Sequence, residues 1–375
     1  MPTAIVWFRR DLRLSDHAAL TAALDAFDTI IPVFVWSPDE EGDWAPGGAH
    51  RWWLHHSLAA LDAGLRDKGS RLILRAGSSA DELLDIAKQT DAECVFYHRR
   101  LEPAIRTRDK EVDQHLRTSG IEPRAFDGYL LHDPDAIQTG SGGPYKVFTP
   151  FWKKMRAETE VGAPLSTPRM GQSTAPGDWP KSADLDDLRL LSSIGWDAAF
   201  YDVWTPGEIG AQDALKRFVD DRLIDYPEGR NFPGRALTSE LSMRLHWGEV
   251  SVRQAWCAAD GWVANGAMRE AADKFMSELA WREFSYHLLW HFPHLPTKPL
   301  KPKYAAMPWR DDPDGLRAWQ RGETGYPIVD AGMRQLWHIG WMHNRTRMIV
   351  ASFLIKDLLI PWQDGERWFW DCLVG

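Results

Sequence analysis

The sequence predicts an α/β N-terminal domain on a Rossmann-like, doubly wound parallel sheet, followed by an all-α C-terminal domain. Three observations carry this. Short continuous apolar runs alternate with amphipathic stretches over residues 1–130, residues 131–203 are rich in Gly, Pro, Ser and Asp, and from about residue 205 the patterns are helical. The runs AIVWF (4–8), IIPVFVW (30–36), RLILRA (71–76) and CVFYH (94–98) are continuous and rich in β-branched residues, as strands buried on both faces are. Between them HAALTAALDAF, RWWLHHSLAALDAGLRD, ADELLDIAKQ and IRTRDKEVDQHLRT repeat their apolar residues every three to four positions. The connector (GSGGPYKVF, PRMGQSTAPGDWPKSADLDD) reads as a long strap wrapped over a surface. Beyond it, GAQDALKRFVDDRL, AADKFMSELAWREFSYHLLWHF, IVDAGMRQLWHI and WMHNRTRMIVASFLIKDLLI predict helices, with no internal repeat. The domains are thus expected at 1–130, 131–203 and 204–375.

The chain has 375 residues, 44% of them hydrophobic and 26% charged, enough for two domains with their own cores. No window is apolar enough to span a bilayer, and the opening residues read as a strand with a basic exit, not a secretory signal. Cys94, Cys257 and Cys372 are far apart and in no metal spacing, so they read as reduced thiols of a cytoplasmic protein with no metal. A net charge of −9 means that a polyanionic partner must meet a local basic patch. The turn after the first strand, RRDLRLSD, lacks G-x-G-x-x-G, so a nucleotide cofactor is expected elsewhere than on this sheet. Of 21 Trp, 16 lie at or after Trp152. They serve either as an aromatic-rich core or as flat stacking surfaces for a planar ligand or for bases.

Taking 277–288 as a helix puts Glu278, Trp281, Arg282 and Ser285 on one face, either as a salt-bridged, half-exposed surface or as the wall of a cavity. The segment GWMHNRTRM (340–348) repeats the theme, with Trp341, Arg345 and Met348 in one stripe and Asn344 beside it. Two helices each presenting an indole and hydrogen-bonding groups suggest walls of a single cavity. Thr238, Ser239 and Ser242 cluster at a predicted helix start, either as caps or as phosphate ligands. Arg230, Arg235, Arg345, Lys298, Lys301 and Lys303 are candidates for nucleic-acid backbone contacts if the fold gathers them. Ser–His–Asp order, zinc spacing and a Walker motif are all missing, which leaves hydrolase and metalloenzyme readings little support.

Together these stretches resemble the photolyase/cryptochrome family of flavoproteins. The resemblance runs through the whole chain in order, in VWFRRDLRLSDHAAL, YKVFTPFWK, GRNFPGRALTSELS, ELAWREF, GETGYPIVDAGMRQL, GWMHNRTRMIVASFLIKDLLIPW and GERWF. It implies FAD held in a U-shape inside the helical domain. Carried over by position, it implies flavin contacts at Tyr226 and at Thr238, Ser239, Glu240, Leu241 and Ser242. Phe275, Arg282 and Trp341 would line the same pocket, with Arg347 and Asp357 around the isoalloxazine. Glu278 would hydrogen-bond a pyrimidine edge and Trp281 would stack on damaged bases. Asn344 and Arg345 would face substrate and DNA backbone, Met348 would pack against the lesion, and Arg230 and Ser285 would lie on the DNA side.

Within the family, members that repair (6-4) photoproducts usually carry His at the positions of Asn344 and Met348, and plant cryptochromes carry Asp and Val. Asn344 with Met348 resembles the members that repair cyclobutane pyrimidine dimers. The resemblance therefore implies a monomeric, light-driven carbon–carbon lyase acting on UV-damaged DNA by electron transfer from reduced FAD. A flipped-out dimer fits, since a damaged pair is already poorly stacked. Trp309 and Trp362 match the outer and middle members of the family's electron-transfer chain. Relatives continue past WFWDCLVG into helices that carry the third Trp and the acidic partners of Arg347, so a C-terminally truncated pocket with one flank unbuilt is expected. An antenna chromophore, folate or deazaflavin, stays open, because Ala104 and Ile105 stand where folate-binding relatives have an Asn–Glu pair. A cryptochrome-like photosensor and an inactive truncated form are the alternative functions.

Overall fold

The computed structural model describes residues 2–170, 175–264 and 266–375. Residues 171–174, within the predicted connector, lie outside the described residues. Five parallel strands, β1 (Thr3–Phe8), β2 (Thr29–Trp36), β3 (Ile73–Ala76), β4 (Ala92–His98) and β5 (Glu122–Phe126), form one sheet in the order β3-β2-β1-β4-β5. The crossovers carry α1 (Ala18–Ala26), α2 (Gly48–Arg66), α3 (Ser79–Thr90) and α4 (Pro103–Thr118). Strand alternation sorts β1 between two cores. Ala4, Val6 and Phe8 pack with α1 and α2, while Ile5 and Trp7 pack with α3 and α4. Sequence periodicity does not single out β5. Its sequence EPRAF has no apolar run, because an edge strand needs only one partner and tolerates Pro123.

The connector is not merely a strap. It contains α5 (Phe148–Glu158), whose Phe151 and Met155 are fully buried in the core of the helical part. The apolar spacing Phe148–Phe151–Met155 overrides the Gly- and Pro-rich context. The connector ends in α6 (Phe200–Val203), and Phe200 packs into the sheet's core together with Met243, Trp247 and Val374. That core therefore crosses the predicted domain boundaries.

The remainder is helical: α7 (Glu208–Arg217), α8 (Tyr226–Gly229), α9 (Ser242–Trp247), α10 (Val252–Gly261), α11 (Gly266–His291), α12 (Pro313–Arg321), α13 (Pro327–Ile339), α14 (Asn344–Ser352) and α15 (Trp362–Cys372). None of the described helices is long and apolar enough to cross a membrane. The expected single helix over 341–360 is shorter. His343 caps α14, its Nδ1 accepting from Arg345 N at 3.1 Å, so Trp341 precedes the helix and does not continue its stripe. A π-turn, Phe353–Asp357, follows α14 and shifts the helical phase.

The loop after β1 locks the two parts together. Leu12 N donates to Trp247 O at 3.0 Å, and Arg13 donates to Gly248 O at 2.9 Å. Gly248 has φ +68, and a Cβ there would lie 2.2 Å from Arg10 O, so only glycine fits. Next to it, Glu249 is fully buried. It accepts from Trp53 Nε1 at 2.9 Å, from Ser57 Oγ at 2.6 Å and from the Gly207 amide, and stands 3.6 Å from Arg244. Burial raises the Glu249 pKa and lowers that of Arg244, so both shifts describe a pair taken out of water together. Inside the same loop, Asp11 Oδ2 is hydrogen-bonded to His98 Nδ1 at 2.7 Å and stands 3.0 Å from His17 Nε2.

Two expectations follow. Glu249→Ala strips three donors of their acceptor and leaves Arg244 buried without a counter-charge, a loss on the order of 3–5 kcal/mol. Urea unfolding should show it, with Glu249→Gln clearly milder; equal, small losses in both variants would contradict this role. The second concerns pH. Burial pushes His50 down to about 3 and His98 to about 4, against 6.5 for a free imidazole. Stability is then full above pH 6.5 and falls as pH drops toward the folded values, by on the order of 2 kcal/mol per imidazole at pH 5. Burial raises Asp11 and Glu102, but His17 and His98 around the first and Arg100 and Arg10 around the second outweigh it and lower both. Their stabilisation is lost only below the ordinary carboxyl values of 3.8 and 4.5. A melting temperature that starts to fall near pH 6.5 is expected; one flat down to pH 4.5 would rule this out.

Candidate active site

Most of the predicted site residues line one cavity of about 570 Å³ between the segment 226–242, α11 and the start of α14. One side is Tyr226, Arg230 and the run Thr238–Ser242; the other is Glu278, Trp281, Trp341, Asn344, Arg345, Arg347 and Met348. Tyr226 is set by an aromatic triangle, its ring 5.3 Å from Phe218 and 5.9 Å from Phe275. Burial raises its phenol, which stays neutral. Ser242 is the first residue of α9 and no side chain caps that helix, so the Thr and Ser hydroxyls are not spent as caps. Glu240 is drawn toward Arg222, 3.3 Å away.

Two of the cavity's guanidinium groups, Arg230 and Arg345, are already held. Arg230, 8% exposed, forms a short ion pair with Glu278. Arg345 donates from Nε at 3.0 Å and from Nη2 at 2.6 Å to Asn231 Oδ1, joining α14 to the opposite wall. At the rim, Trp281 is 44% and Met348 56% exposed, unusual for such large apolar side chains.

A second cavity of about 330 Å³ shares Tyr226, Ser239, Leu241, Ser242 and Glu278 with the first and adds Phe275 and Arg282. It also brings in Tyr129, His246 and Tyr286, which sequence reasoning missed. Arg282 donates to Tyr129 O at 2.7 Å and lies 4.2 Å over the Tyr129 ring, and the Tyr129 and Tyr286 hydroxyls are 3.0 Å apart. Tyr129 sits just past β5, where no periodicity marks it. Tyr286 falls four residues after Arg282, and that helical spacing was the available signal.

Arg347 lines the first cavity and also a third, of about 470 Å³, with His50, Trp319, Trp362, Glu366 and Phe369. Burial lowers Arg347 to about 10 and raises Glu366 to about 7. Arg347 donates to Met342 O at 3.3 Å, its Nε has no partner, and no carboxylate pairs with it among the described residues.

Three expected positions fall elsewhere. Asp357 is exposed and lines none of these cavities. Ser285 is exposed and bonds back to Trp281 O at 2.8 Å. Trp309 lies half-buried in the loop before α12, whereas Trp362 lines the third cavity, and no ring contact joins the two among the described residues. Lys298, Lys301 and Lys303 are in that same loop region and line none of the three cavities.

Comparison with known proteins bears on this geometry. Residues 4–169 match the DNA photolyase family model, and residues 275–375 match the FAD binding domain of DNA photolyase. A deoxyribodipyrimidine photo-lyase of Agrobacterium fabrum is 49% identical over 99% of this chain and 76% of its own length. Cryptochrome-1 of Arabidopsis thaliana is 38% identical, over 99% of this chain and 55% of its own length. The crystal structure of a class III photolyase from Agrobacterium tumefaciens superposes with a TM-score of 0.94 at 48% identity, covering all of this chain and 77% of the other. Identity of this extent, over nearly the whole chain, with both family models in their proper order, makes the chain a member of the DNA photolyase family.

Proposed function

We propose that this protein splits cyclobutane pyrimidine dimers in UV-damaged DNA under blue light, as a flavin-dependent carbon–carbon lyase. The observation that carries the reading is the shared wall of two cavities. The Tyr226–Ser242 segment closes the inner one with Phe275 and Arg282, and the outer one opens past Glu278, Trp281, Asn344 and Met348. The domains then divide the work: 1–130 as the α/β domain, 131–203 as the connector, and 204–375 as the part that holds flavin and DNA.

The residues fit FAD. Uncommitted hydroxyls at Thr238, Ser239 and Ser242 suit a pyrophosphate, and Tyr226, Phe275 and Trp341 offer aromatic walls. Arg347, a half-buried cation whose Nε is buried and unpartnered, suits an acceptor-rich ring edge. When bound and reduced, FAD supplies the light-excited electron that opens the cyclobutane ring. The chain's own groups select and hold the lesion. Trp281 offers a flat face to an extruded base, Glu278 and Asn344 offer acceptors and donors to pyrimidine edges, and Met348 fills apolar space beside the ring. Arg230 and Arg345 exchange Glu278 and Asn231 for DNA phosphate.

An antenna does not fit where the sheet topology would place it. The crevice where β1 and β4 diverge is the usual ligand position in such sheets. Here Arg10 and Arg100 pair there with Glu41 and Glu102, leaving about 30 Å³. A folate or deazaflavin in that crevice requires these pairs to open.

Blue light should restore normal bases in a dimer-containing oligonucleotide, followed by chromatography, and darkness should not. Asn344→Ala is expected to lower repair by about tenfold or more, given 1–3 kcal/mol for each lost hydrogen bond to a buried polar group, with flavin content kept. Bound flavin with no repair at all would sink the lyase reading and favour a photosensor. A second expectation concerns Arg347→Met. Removing a largely desolvated, unpaired charge should leave the flavin-free protein as stable or more stable, while flavin retention after desalting falls. A variant that destabilises the flavin-free protein and binds flavin normally would contradict the role given to Arg347.

A further inference from the structure

We infer that Phe148 is a positioning residue for the lesion: it backs the indole of Trp281, so that only the opposite indole face can meet an extruded base. This rests on the proposed repair function. The Phe148 and Trp281 ring centroids are 3.7 Å apart with planes 10° from parallel, the closest ring pair among the described residues. Aromatic pairs usually stand at about 4.5–7 Å in offset or edge-on arrangements, because face-to-face quadrupoles repel. A nearly eclipsed stack is therefore set by packing around it and not by attraction between the two rings.

The flanking elements supply that packing. Phe148 opens α5, which is anchored by Phe151 and Met155, both fully buried. The segment entering α5 is pinned to α11, where Tyr145 N donates to His287 Nε2 at 3.1 Å and His287 Nδ1 faces Pro134 O at 3.1 Å. Burial pushes His287 down to about 4, so at neutral pH Nε2 is free to accept and Nδ1–H to donate. Phe284 meets Phe148 and Trp281 edge-on at 5.9 Å each. Trp281, 44% exposed, reaches the cavity wall shared with Glu278, Asn344 and Met348. The indole is thus held from behind and open in front. Without the phenyl ring it gains space to rotate away from the cavity, and a base stacking on it must first bring it back. The connector thereby contributes to lesion recognition without touching the lesion.

The test compares Phe148→Ala, Phe148→Tyr and Met155→Ala in the full chain. Met155→Ala loosens the same helix and leaves the stack alone. Dark binding of a dimer-containing oligonucleotide should weaken about 3- to 10-fold in Phe148→Ala, the range of one aromatic pair, with undamaged DNA bound as before. Phe148→Tyr should restore it, and Met155→Ala should lose stability but not dimer preference. Acrylamide quenching of Trp281, taken as the difference from Trp281→Phe in each background, should rise in Phe148→Ala only. Equal losses in Phe148→Ala and Met155→Ala, or an unchanged quenching difference, would overturn the inference. If the parent chain does not distinguish damaged from intact DNA, the proposed function fails, and the quenching difference still decides the clamp.

Discussion

The contact between the loop after β1 and the corner joining α9 to α10 is the constraint on which the rest depends. A glycine lets the two backbones meet, and a buried carboxylate at the next position gathers donors from α2, from the start of α7 and from its own Arg244. Only because that corner is fixed does α9 start where it does, with Ser242 on the cavity. The same corner holds His246, stacked 4.8 Å from His50 of α2, at the floor of the second cavity. Burial and the neighbouring Arg10 keep His246 neutral. The α/β part is therefore a structural wall of the site, although it lends few side chains to it.

Much of this was legible in the sequence, and the failures have physical reasons. Most strands announce themselves as apolar runs, as β1, β2, β3 and β4 do. β5 is EPRAF, an edge strand broken by Pro123 and charged residues, and it carries no such run. The residues of α14 were placed on a cavity wall, yet the helix start was misjudged, because His343 as a cap and two residues of non-helical chain before it break no hydrophobic pattern. The π-turn is invisible for the same reason: FLIKDLLI reads as plain helix. Tyr129 and Glu249 act through partners more than a hundred residues away, at Tyr286 and Ser57, and no local spacing encodes such pairs.

The site is built for an occupant of a particular charge. Its mouth carries two guanidinium groups that are held, not free: Arg230 by a carboxylate, Arg345 by an amide oxygen. The deeper Arg347 is held by a backbone carbonyl alone. Arg345, held only by a neutral amide oxygen, gives up no counter-charge when it changes partner, and Arg230 exchanges one anionic partner for another when a phosphate replaces Glu278. A largely desolvated cation with no counter-charge, as Arg347 is, has much more to gain from an acceptor-rich ligand. The gradient from exchangeable pairs at the mouth to an uncompensated charge inside favours permanent occupation within and reversible occupation outside. A retained cofactor under a released nucleic acid requires that ordering, and it also reconciles a net charge of −9 with a polyanionic substrate. The net negative charge disfavours nonspecific DNA at long range, and under the proposed function the positive groups become available where a flipped lesion displaces their internal partners.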